Sequence, residues 1–216
     1  MGWERIVRLI TMIPKWLRQC WHFIWEEDSL ASWIANVVLA FIIIKFVVYP
    51  GLGFLFATTH PIVAVVSGSM EHDGGFDQWW NSSCGSQSQS DFYREYGISK
   101  QQFSGFLFKN GFDKGDIMVV HDGSNPGVGD VIIYTIPDQA DPIIHRVVTV
   151  TPSDNSQKGH NLYKTKGDHN CGINGFEEAI SQNQVLGKAW IRVPWLGWVK
   201  LAFMKLISKI GLLIGG

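Results

Sequence analysis

From Leu30 to Tyr49 the chain reads LASWIANVVLAFIIIKFVVY, apolar almost throughout and carrying one charge, Lys45. A helix of that length crosses a hydrocarbon core of about 30 Å. Lys45 lies near its C-terminal end, where a long amphipathic side chain reaches the headgroups. PGLG at 50–53 predicts a break, and FLFATTH leads on to a strand. Before the span the pattern changes to steps of three and four. Glu4, Arg8, Thr11, Lys15, Arg18 and His22 share one helical stripe, with Trp and Ile filling much of the rest. That predicts an amphipathic segment over 1–28, lying in a membrane interface and kinked at Pro14. Residues 29–57 form the span and its linker.

Past residue 58 the apolar runs shorten and take on β character. PIVAVVS (61–67), DIMVVHD (116–122), DVIIYTI (130–136), PIIHRVVTV (142–150), NLYKTKG (161–167) and QVLGKAWIRV (184–193) are rich in Val, Ile and aromatics. Gly, Pro, Asn or Asp bounds each of them. Six such runs predict a mainly β domain over 58–193, a small antiparallel sandwich or open barrel. Residues 71–113 interrupt it with NSSCGSQSQS and then DFYREYGISKQQFSGFLF, which predicts short helices with an aromatic face. A long segment without strand pattern inside a β domain reads as an insertion. Residues 194–216 are apolar with three lysines and no acids, a membrane-associated tail.

Charge and composition narrow the field. The net charge is −1, which excludes a strongly basic nucleic-acid binder. Ten tryptophans suit membrane–water interfaces. Four Lys/Arg in residues 1–28 favour a cytoplasmic N-terminus and an extracytoplasmic β domain. Cys84 and Cys171 would then share the oxidising side, either bridged or as two free thiols. Neither belongs to a metal-ligand pattern, and nothing in the sequence calls for a cofactor. NSS at 81–83 fits an N-glycosylation sequon.

The candidate chemistry begins at Ser67-Gly68-Ser69-Met70. Ser and Gly are ordinary at a strand end, but a serine becomes a nucleophile when a base takes its proton. Imidazole is the usual base, and His145 sits inside an apolar strand. A core histidine bonded to a backbone carbonyl is the ordinary alternative there. Asp168, in TKGDHN, is a carboxylate able to hold a histidine tautomer; it could equally bond its own turn. Ser67 and Ser69 share a face of an extended strand, so the Ser67 hydroxyl can join the Ser69 N–H as an oxyanion donor.

SGSM, KGDIMVV, IIHRVV and TKGDHN, in that order behind an N-terminal span, resemble the type I signal peptidase family. The closer likeness is to its archaeal and endoplasmic-reticulum branch, which uses a Ser–His pair. The resemblance implies that Ser69 is the nucleophile, His145 the general base and Asp168 its orienting acid. It implies a substrate strand paired at Val65, Val66, Ile143 and Ile144. Its implied partners are signal-peptide-bearing preproteins, the lipid bilayer and the translocation machinery, with no nucleic acid. Two positions depart from the family pattern. His72 replaces a proline and offers a second imidazole near Ser69. Asn174 replaces a second acid, with Glu177 and Glu178 beyond it, which leaves open which acid steers His145. A non-catalytic subunit that binds signal peptides is the alternative function, and a tethered adhesion domain is a more distant one.

Overall fold

The computed structural model describes residues 14–137, 139, 141–152, 161–199, 201–202 and 205. It divides into two compact units, Met1–Leu52 and Gly53–Gly216. In the first, Pro14 caps helix α1, Lys15–Trp25. A proline there costs nothing, because a helix's first N–H groups have no intrahelical partner. Trp16, Trp21 and Trp25 are all exposed on it. The part of the expected segment before Pro14 lies outside the described residues.

Helix α2 runs from Leu30 to Leu55 and is long and apolar enough to cross a membrane. Ser29 caps it by accepting the Ser32 N–H at 3.1 Å. The Ser32 hydroxyl donates to Phe23 O at 2.5 Å, and the Asn36 amide to Ile24 O at 2.8 Å. Two carbonyls that the end of α1 leaves open are thus satisfied by the start of α2. The expected break at 50–53 is not there. A π-turn at Ile44–Val48 precedes Tyr49–Leu55, and Pro50 falls in the turn that follows. The wider ladder gives room for a ring that would otherwise press on the carbonyl four residues back.

The second unit is built on a seven-stranded antiparallel sheet in the order β1-β4-β9-β5-β6-β7-β8. The strands are β1 Ile62–Ala64, β4 Ile117–His121, β5 Val131–Tyr134, β6 Ile143–Pro152, β7 Asn161–Lys166, β8 Ile180–Ser181 and β9 Val185–Val193. β2 Ser83–Cys84 and β3 Gln87–Ser88 form a separate hairpin. All four residues of β5 are buried. Val131 and Ile133 join one core with Met70, Phe112 and Met118; Ile132 and Tyr134 join another with Val147 and Tyr163. Alternation sends them to opposite faces, and both faces are covered, so the run is continuously apolar. Register shifts at Val119/Val120, Ile133/Tyr134 and Val147/Thr149 bend the strands.

The segment 71–113 carries helices α3 Phe76–Trp80, α4 Gln89–Glu95 and α5 Lys100–Ser104. Ser88 and Asp91 form a capping box, and Ser99 caps α5. Trp79, Trp80, Tyr93, Ile98 and Phe103 make a core of their own against Val148 of β6. Cys84 is bonded to Cys171, which ties this segment to the loop after β7. Of the two states the sequence leaves open, the structure has the bridge. The carboxylate of Asp116, in KGDI, accepts the Trp195 N–H at 3.1 Å and pairs with Arg192, fixing the start of the C-terminal tail. Most of that tail lies outside the described residues.

Candidate active site

β1 ends at Ala64, and the chain bends through Ser67-Gly68-Ser69. The Glu71 N–H bonds Gly68 O at 3.1 Å, and the His169 N–H bonds Ser69 O at 2.8 Å. Ser69 is thereby gripped from two sides. A Cβ on Gly68 would meet the Glu71 carboxylate at 2.9–3.1 Å. The Ser69 hydroxyl lies 2.9 Å from His145 Nε2. On the other side of the imidazole, Nδ1 is 2.5 Å from Glu177 Oε1. A carboxylate can only accept, so Nδ1 carries the proton and Nε2 is left to take one from Ser69. Ser67 Oγ is 3.2 Å from Ser69 Oγ. His145 and Glu177 are buried, while Ser67 is exposed.

Glu177 is fixed by its own turn. It ends the 3-10 turn Gly175–Glu177, and Oε2 accepts both the Asn174 N–H (2.8 Å) and the Asn174 side-chain amide (2.7 Å). Burial would raise its carboxyl, but the hydrogen bond and charge of His145, with the Asn174 donors, hold it below the ordinary value.

Asp168 is elsewhere, which corrects the expectation that it orients His145. Its carboxylate accepts from Arg146 Nη2 at 2.7 Å, Tyr93 Oη at 2.6 Å and His72 Nε2 at 3.0 Å. Arg146 follows His145 on β6, so alternation turns it to the opposite face, and Asp168 goes with it. Burial alone would raise this carboxyl too, yet the Arg146 charge and the His72 hydrogen bond hold it far below the carboxylate range. Arg146 also donates to Leu107 O, Phe108 O and Gly129 O, which joins segment 71–113 to the sheet. His72 is no rival base. It stacks on Trp79 at 3.6 Å with rings 4° from parallel, and its Nε2 is engaged with Asp168. Met70, next to Ser69, is buried in the β core.

The turn 167–170 presses on the Ser–His pair. A Cβ at Gly167 would stand 2.8 Å from His145 Nε2 and 2.9 Å from Ser69 O. Gly167→Ala is therefore expected to lower turnover about 100-fold in folded protein, the scale of a misplacement near 1 Å. Kinetics beside a thermal melt check this.

A cleft of about 260 Å³ opens at the pair, lined among others by Val63, Ala64, Val66, Ile143, Ile144, Asn170 and Phe176. Two strand edges flank it. β6 pairs with β7 only from Arg146 onward, so residues 143–145 keep one free edge. On β1, Pro61 O and both backbone groups of Val65 are bonded toward β4. Period two then aims the backbone of Ile62, Ala64 and Val66 at the open side. Val65, expected to meet substrate, is buried with its backbone already used. Val66 and Ala64 line the cleft instead.

A serine bonded to an imidazole that is bonded to a carboxylate, beside a groove with free strand edges, has the geometry of a serine-protease triad. No protein-family model matches the chain. It is similar to the catalytic subunit of the signal peptidase complex of Schizosaccharomyces pombe, 35% identical over 85 residues, which are 37% of this chain and 43% of the relative. The corresponding subunit of Zygosaccharomyces rouxii is 33% identical over 97 residues, 42% of this chain and 56% of that one. That of Aspergillus oryzae is 23% identical over 175 residues, 72% of each. The chain thus spans about half the length of the first two curated relatives. The relatives it matches are all named as catalytic subunits of a signal peptidase complex.

Proposed function

We propose that this chain is a membrane-anchored serine endopeptidase that removes N-terminal signal peptides from preproteins. The observation that carries the reading is the continuous Ser69–His145–Glu177 chain of hydrogen bonds at the end of an open cleft. A peptide lying extended between β1 and residues 143–145 adds a strand to both edges. Ser69 Oγ attacks the scissile carbonyl carbon as its proton passes to His145 Nε2. Glu177 stabilises the imidazolium that forms. The Ser69 N–H and the Ser67 hydroxyl receive the oxyanion. When the C–N bond breaks, Nε2 returns the proton to the departing amine. Water, deprotonated by the same nitrogen, then releases the acyl group from Ser69.

The apolar helix Leu30–Leu55 supports an anchor in a cell or endoplasmic-reticulum membrane, and the N-terminal cations support a cytoplasmic N-terminus. The Cys84–Cys171 bridge supports an oxidising compartment for the β unit. The other catalytic-complex subunits and the translocation machinery are its proposed partners. The test is to incubate the detergent-solubilised full chain with a radiolabelled preprotein and sequence the product. The expected result is one new N-terminus at the signal-peptide junction. Binding of the preprotein without cleavage would favour the non-catalytic subunit instead.

A further inference from the structure

We infer that Lys166 is a positioning residue for the Ser69–His145 pair, acting through the turn its ammonium pins, and that segment 71–113 holds that ammonium in place. The inference rests on the proposed peptidase reading. Lys166 is fully buried at the end of β7. Its Nζ donates to Gly167 O and Asp168 O, each at 3.1 Å, and to Gln89 Oε1 at 2.8 Å. Its three protons are thus all used. The rings of Phe92 and Tyr93 lie 4.8 and 5.0 Å away. Gln89, Phe92 and Tyr93 all come from helix α4.

The two pinned carbonyls belong to the turn that touches the reacting atoms. Gly167 packs on His145 Nε2, and the next residue but one, His169, bonds Ser69 O. Gln89 closes the arrangement: its amide lies 3.4 Å from His169 O and from Asn170 O, and 3.2 Å from the bridged Cys84 Sγ. A buried ammonium is costly where no carboxylate touches it. An apolar side chain would fill the space more cheaply but could not draw two consecutive carbonyls together.

The charge also makes the pin titratable. Burial pushes Lys166 down to about 8, against the raising effect of Asp168 and Glu177; Arg146 lowers it further. Tyr93, whose hydroxyl burial raises well above its ordinary value, stays neutral beside it. Deprotonation removes one donor and weakens the other two.

The experiment measures kcat and KM for preprotein cleavage by the full chain from pH 6 to 10, for wild type, Lys166→Met and Gln89→Glu. In the wild type, kcat is expected to fall above a pH of about 8 while KM holds. Lys166→Met should lose on the order of tenfold in kcat at neutral pH, and should lack the alkaline fall. Gln89→Glu sets a carboxylate against the ammonium and should move the fall upward by about one pH unit or more. A structural role alone would not move a pH limb. Lysine side-chain NMR follows the Lys166 titration without any turnover. If that signal titrates while kcat stays flat, or if Gln89→Glu leaves the limb where it was, the inference is overturned and the peptidase reading stands. If the wild type itself cleaves at no pH, it is the peptidase reading that falls.

Discussion

Glu177→Gln is expected to lower turnover by roughly 10³–10⁴-fold, the scale seen when a triad carboxylate is neutralised. The glutamine keeps the shape and can still accept from Asn174. It cannot stabilise an imidazolium, and its amide group can favour the wrong tautomer of His145. Asp168→Asn should behave in the opposite way. It leaves the Arg146 guanidinium buried without a counter-charge, a loss of about 3–5 kcal/mol, while the molecules that remain folded lose no more than about tenfold in turnover, the scale of an uncharged Lys166. Urea melts and kcat per folded molecule separate the two outcomes. A collapse of turnover in Asp168→Asn with stability intact would return the acid's role to Asp168. The pH dependence of stability agrees in sign. Both carboxyls are depressed on folding. Each contributes stability in full above its unfolded value, 3.8 for Asp168 and 4.5 for Glu177, and loses it as pH falls through the folded one. Glu177 therefore stays ionised across the neutral range and adds no limb of its own to the rate profile there.

Ser69→Ala is expected to abolish cleavage, because among the described residues no other hydroxyl lies against His145 Nε2. Ser67→Ala removes a single oxyanion donor and should lower kcat by about 10²–10³-fold with KM little changed. Both serines sit at a bend whose backbone bonds are independent of their side chains, so neither change should alter the melt. The check is single-turnover cleavage with each variant at saturating enzyme. Equal residual rates would show that the two roles are wrongly divided. Measurable product from Ser69→Ala would point to another nucleophile.

Strands β1, β4, β5, β6, β7 and β9 were legible as apolar runs between turn residues, whereas the two-residue strands β2, β3 and β8 carry no such pattern; the Ser69–His145 pair was legible because both stand out against apolar strands. Glu177 was harder to read. It lies 32 residues after its histidine, on a 3-10 turn with no periodic pattern. One local signal does exist: Asn174 and Glu177 have the spacing of a capping box, which turns the glutamate back on its own turn. Asp168 misled because a carboxylate after glycine suits a catalytic turn. Its real partner stands beside His145 in the sequence: a charge at 146 cannot share the face of the residue at 145, and it needs a counter-ion inside. Pro50 misled for a related reason. A proline is read as a helix end under α-geometry, and the π-turn before it relaxes that geometry. The paired cysteines offered no spacing rule, since the bond joins residues 87 apart.

That separation has a thermodynamic consequence of its own. The bridge closes a ring that holds β3 through β7, with His145, Arg146, Lys166 and Asp168 all inside it. In the chain-entropy view, a loop of this length removes about 4–5 kcal/mol of freedom from the denatured chain. Denatured but oxidised molecules would keep the base, the buried ion pair and the lysine on one closed circuit, and would search far fewer arrangements on the way back. Reduced molecules would carry the same residues on an open chain. Recovery of activity after denaturation should therefore be fast and nearly complete with the bridge intact, and slow once it is opened.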